Sequence, residues 1–122
     1  MIIMNLDDNK NSIDIDFLRK IIGNDLVFEK ELFEIFLDNS KYNISKLDSA
    51  LKSDDNNAWY MASHALKGSS ASIGAFPLSR ILEISQKSSD VEIEKKVEIF
   101  HQIKEEFKKV EDYISQRLKA DN

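Results

Sequence analysis

Residues 64–75 read HALKGSSASIGA, inside a stretch whose apolar spacing is helical. A glycine in a helix interior costs about 1 kcal/mol relative to alanine, so Gly68 needs a compensating reason. On a wheel turning about 100° per residue, Trp59, Ala62, Leu66, Ser69 and Ile73 fall within roughly 40° of one direction, and His64 lies about 180° away. If the apolar stripe faces a core, His64 faces solvent. Asn57, Tyr60, Met61, Lys67, Gly68 and Ala71 share its side. Gly68 then sits one turn beyond the imidazole, where any side chain would crowd it, and the compensation is access.

The sequence on either side of this helix is also helical. The histidine helix is expected over about 57–73, ended by Gly74, with Pro77 opening a helix over about 77–87 that carries Leu78, Ile81, Leu82 and Ser85. Upstream, a short helix is expected from about Ile13 to Gly23, with Ser12 or Asp14 as N-cap and Phe17, Leu18, Ile21 and Ile22 as its stripe. Asp25 then caps a long helix to about Lys52, with Phe28, Leu32, Phe36, Ile44, Leu47 and Leu51 inward and a bend expected at Asp38–Ser40. Downstream, Ser89 and Glu92 suggest a capping box. It would open a last helix to about Leu118, with Ile93, Val97, Phe100, Ile103, Phe107, Val110 and Ile114 inward.

The composition agrees with this. The 122 residues suffice for one core, and three glycines and one proline leave few tight turns, which favours long helices over a β fold. The expected fold is all-α: an antiparallel four-helix bundle over residues 12–119 with an additional short N-terminal helix, preceded by a loose lead at 1–11. A net charge of −5 lacks the basic face of a nucleic-acid binder. The absence of cysteine removes disulfides, thiol nucleophiles and thiolate metal sites. No apolar run is long enough for a membrane span, and the start MIIMNLDDNK lacks a basic n-region, so the expected compartment is the cytoplasm. HExxH, P-loop and GxSxG motifs are absent, which leaves hydrolase and nucleotide-binding readings without support.

The stretch His64–Ala75 resembles the signature of histidine-containing phosphotransfer (HPt) domains, H-x-x-K-G-[SA]-[SA]-x-x-x-G-A. His64, Lys67, Gly68, Ser69, Ser70, Gly74 and Ala75 fall on its positions, and the order of helices over about 13–118 is also similar. The resemblance implies a four-helix bundle with a short N-terminal helix. It implies that His64 accepts a phosphoryl group from a receiver-domain aspartate and passes it to another receiver. Lys67 would stabilise charge on the phosphoryl group, Gly68 would keep space for the partner, and Gly74 and Ala75 would serve helix termination and close packing.

The chemistry is consistent with this role. A free imidazole titrates near pH 6.5, so a neutral nitrogen nucleophile is available at neutral pH. An ammonium one turn along attracts phosphate oxygens. Phosphoryl transfer depends mostly on positioning and charge neutralisation. This chain shows no acidic pocket for Mg²⁺, so the receiver is expected to bring the ion and no cofactor is expected here. The implied partners are response-regulator receiver domains and a hybrid sensor histidine kinase, met by a monomer without autokinase activity. Tyr60, Met61 and Ala71, flanking the histidine, are the candidate docking residues, and the family resemblance adds Phe17 and Ile21.

Several features read as ordinary structure. His101 on the last helix is a surface residue, and Ser69 and Ser70 are small packing residues, the first on the core side and the second on the flank. The family often shows Leu and Glu near the end of the fourth helix, where this chain has SQKSS at 85–89; the difference is expected to alter nearby surface without touching the acceptor. Two other classes remain. One is the phosphoacceptor domain of a histidine kinase, although the proline that ordinary kinases place shortly after the histidine is missing and the chemotaxis-kinase acceptor sits in a longer chain. The other is a helical adaptor that binds receivers without transfer.

Overall fold

The computed structural model describes residues 12–120, so the loose lead expected at 1–11 lies outside the described residues. Five helices follow one another: α1 (Ile15–Ile22), α2 (Leu26–Ser53), α3 (Asn56–Ser72), α4 (Phe76–Lys87) and α5 (Ile93–Ala120). Among the described residues there is no strand. α3 packs on α2 and α4, and α5 packs on α4 and α2, so the four long helices close into a ring. This is the expected antiparallel bundle with a short extra helix at its N-terminus.

The helix boundaries follow local chemistry. Asp14, Asp25 and Asp55 each accept a hydrogen bond from the backbone N–H three residues on, at 3.1, 3.0 and 3.0 Å, which satisfies one of the four orphan donors at each helix start. Asp14 is therefore the first cap. Ser12 is buried and donates to the Lys109 carbonyl oxygen at 3.3 Å, tying the entry of α1 to α5.

The expected capping box at Ser89 and Glu92 does not form. α5 opens at Ile93, and the Glu92 carbonyl accepts from Lys96 at 3.1 Å, so Glu92 stands at the cap rather than inside the first turn. Helix α2 runs unbroken through Asp38–Ser40.

Two stripes are rotated from the sequence reading. On α2 the inner positions are Glu29, Phe33, Phe36, Ser40, Asn43, Leu47 and Ala50, while Phe28 is exposed and Leu32 half-buried. The cause is Glu29, which turns inward to meet Arg117 in a two-pronged ion pair at 2.7 and 3.0 Å. On α5, Ile93 and Val97 are exposed and Lys96 is buried in their place. Its ammonium reaches Asn56 Oδ1 and lies 5.6 Å from the centre of the Trp59 ring, so the polar end finds partners while the stem packs. The remaining stripe of α5, from Phe100 to Ile114, is inward as expected.

Gly74 joins α1 to the bundle. Its φ is +83°, a left-handed conformation that glycine adopts without penalty. Its carbonyl accepts from Asp14 N–H at 2.9 Å, and a Cβ at this position would sit 2.9 Å from the Asp14 carbonyl oxygen. Beside it the Phe17 and Phe76 rings meet edge to face at 5.0 Å. Gly74 thus ends α3 and admits α1.

Candidate functional site

The site is built on the α3–α4 contact. Trp59 is fully buried, and its indole N–H donates at 2.9 Å to the Ser85 carbonyl oxygen, which also accepts from the Ser88 backbone N–H at 3.1 Å at the end of α4. One turn along, the Ser63 and Ser85 hydroxyls lie 2.7 Å apart in the core. These two buried bonds fix the register of α3 against α4. The next residue on each helix points outward from this anchor, and these residues are His64 and Gln86.

His64 is exposed, as the wheel requires. Its Nδ1 lies 3.3 Å from Gln86 Oε1, and Gln86 Nε2 donates to the Tyr60 hydroxyl at 3.4 Å. The Tyr60 ring, one turn before the histidine, is parallel to the imidazole within 2°, with centroids 6.1 Å apart. An amide oxygen can only accept, so this pairing is a hydrogen bond when Nδ1 carries the proton, which leaves the lone pair on the distal Nε2.

Lys67 is half-buried, makes no ion pair among the described residues, and has its carbonyl fixed by the Ser79 hydroxyl at 3.3 Å. Gly68 is exposed, and a Cβ there would meet nothing within 4 Å. Close helix packing therefore does not explain it.

Of the docking candidates, Met61 is 56% and Tyr60 38% exposed, whereas Ala71 is half-buried. On α1, Ile21 is 61% exposed and Phe17 half-buried against Phe76. The serines exchange roles relative to the sequence reading. Ser70 is fully buried and its hydroxyl has no partner among the described residues, while half-buried Ser69 donates to the Leu66 carbonyl at 3.1 Å.

The variant stretch at 85–89 does touch His64, contrary to expectation. Gln86 is the residue that sequence reasoning missed. The available signal was Ser85 on the inner stripe of α4, which places the next residue at the rim of the α3 contact. His101 and Lys104 repeat the His-x-x-Lys spacing on α5, but Glu105 stands where Gly68 would be and Lys104 lies over the Phe100 ring at 4.7 Å.

Comparison with known proteins bears on the family and the fold. The family model described as Hpt domain matches residues 31–113. The chain belongs to the Hpt family. It is a phosphotransfer protein of the phosphorelay type, and members of this family are phosphocarriers that interact with receiver domains. The solved structure of histidine-containing phosphotransfer protein B (HptB) from Pseudomonas aeruginosa PAO1 superposes with a TM-score of 0.80 at 22% identity, covering 87% of this chain and 93% of that one. It includes the bundle fold that the Hpt match supports by sequence. A search of curated proteins returns no match. No helix among the described residues is long and apolar enough to cross a membrane.

Proposed function

We propose that His64 is the phosphoacceptor of this Hpt domain, taking a phosphoryl group from the aspartyl phosphate of one receiver domain and giving it to another. The observation that carries the reading is an exposed imidazole whose Nδ1 is engaged by Gln86, with Lys67 one turn away and open space over Gly68.

In the forward step the Nε2 lone pair forms a bond to phosphorus as the bond from phosphorus to the aspartyl oxygen breaks. The receiver carboxylate leaves as an anion, and the ring, still holding its Nδ1 proton, takes up the positive charge. No proton has to move. The Nδ1–H···Oε1 contact strengthens as that charge grows, so it favours the transition state over the ground state. Lys67 offsets charge on the phosphoryl oxygens, and the receiver supplies the divalent ion. Return transfer is the reverse of the same step.

Residues 12–119 act as the single transfer unit, a monomer in the cytoplasm. A hybrid sensor kinase loads the first receiver, and Met61, Tyr60, Ala71 and the exposed Ile21 contribute to docking. The test is transfer from a radiolabelled receiver domain to wild type and to His64→Gln. Acid-labile, alkali-stable label on wild type alone is the expected result. A folded wild type that binds a receiver and takes no label would instead be an adaptor.

A further inference from the structure

We propose that Tyr60 is a positioning residue for His64, acting on the imidazole through its ring and through the amide of Gln86; this rests on the reading of His64 as phosphoacceptor. An exposed histidine on a helix ordinarily turns about both side-chain torsions and, when neutral, exchanges its proton between the two nitrogens. Here two contacts limit that freedom, and Tyr60 takes part in both. Its ring lies parallel to the imidazole, which restricts the tilt of the plane. Its hydroxyl takes the Gln86 amide nitrogen at 3.4 Å.

The second contact has a chemical consequence. The two ends of a glutamine amide are nearly equal in shape and opposite in polarity. If the nitrogen faced His64, Nδ1 would have to accept, the proton would sit on Nε2, and the outward nitrogen would have no lone pair for attack. If the oxygen faces His64, Nδ1 holds the proton and Nε2 is nucleophilic. Tyr60 occupies the nitrogen end and leaves the oxygen at 3.3 Å from Nδ1. In this arrangement the hydroxyl accepts from Gln86, and with Tyr60 38% exposed its own proton remains available to water. Tyrosine, glutamine and histidine thus form a closed triangle across the rim of α3 and α4. A residue that the sequence reading assigns to docking also sets the tautomer of the nucleophile.

The experiment combines one spectrum with one rate. Long-range proton–nitrogen NMR of the labelled wild type, at a pH near 8.5 where imidazole is neutral, should show His64 mainly as the Nδ1–H tautomer. Tyr60→Phe keeps the ring and removes the hydroxyl. It should shift the population towards the Nε2–H form that free histidine favours. It should also lower the single-turnover rate of uptake from a saturating phosphorylated receiver about tenfold, a loss that saturation separates from any change in receiver Kd. Tyr60→Leu, which loses both contacts, should slow uptake further.

A wild-type tautomer and rate in Tyr60→Phe would overturn the proposal. A weaker Kd with an unchanged saturated rate would also overturn it and leave Tyr60 with docking alone. If wild type takes no phosphoryl group, the phosphoacceptor reading fails separately. The tautomer comparison then still decides whether Tyr60 positions the ring.

Discussion

Gln86 Oε1 lies 3.3 Å from His64 Nδ1 across the α3–α4 rim, and the two residues are 22 positions apart in sequence. The contact depends on the buried anchor beneath it, where Trp59 and Ser63 both bond to Ser85. Gln86 itself is only part-buried and carries little of the fold. Gln86→Leu should therefore leave thermal stability within about 0.5 kcal/mol of wild type. It should slow phosphoryl uptake roughly tenfold, the effect of losing one hydrogen bond that strengthens as the ring gains charge. A single-turnover assay at saturating receiver, paired with a thermal melt, checks both parts.

Lys67 offers an ammonium without a competing carboxylate among the described residues. Lys67→Ala should slow transfer about tenfold to a hundredfold, less than the ~10²–10³ of a dry oxyanion-hole donor because the site is wet. Alanine is also the better helix former, so the helical circular-dichroism signal should be unchanged. A collapsed signal would make Lys67 structural instead.

Gly68 separates access from folding. Since a Cβ there meets nothing, Gly68→Ala should raise stability by about 1 kcal/mol, the helix-propensity difference. Gly68→Leu should also be tolerated by the fold, yet it should reduce transfer sharply because its side chain covers the approach to the imidazole. Thermal melts and receiver-to-protein transfer rates on both variants decide this. Transfer at the normal rate in Gly68→Leu would remove the steric account.

What was legible in the sequence follows from what a single helix can reveal. The spacing from Trp59 to Ile73 gave the direction of His64, because on a helix that direction is set by position alone. The caps at Asp14 and Asp25 were within reach because capping is local. Glu29 and Lys96 were not, since nothing on their own helices places a charge inside; their partners, Arg117, Asn56 and Trp59, come from other helices. For the same reason Gln86 stayed hidden. Its role depends on the α3–α4 register, which Trp59 and Ser63 fix through contacts 26 and 22 positions away.

The Glu29–Arg117 pair provides the last prediction, on stability. Both carboxylate oxygens of Glu29 are taken by Arg117, and the side chains are only 3% and 17% exposed. Arg117→Met should leave a buried carboxylate uncompensated and destabilise the fold by about 2–4 kcal/mol, measured by urea denaturation. Replacing both partners, Glu29→Met with Arg117→Met, should recover most of that loss, because the desolvated charge is gone. The neighbouring Tyr113 adds a pH signature. Burial raises its phenol above the ordinary value, and Arg117 acts in the opposite direction. A raised folded-state value means that this contribution is intact below the ordinary phenol range near 10 and is lost as pH climbs through the higher folded value. Wild-type stability should therefore decline on the alkaline side of about pH 10, and Tyr113→Phe should flatten that decline.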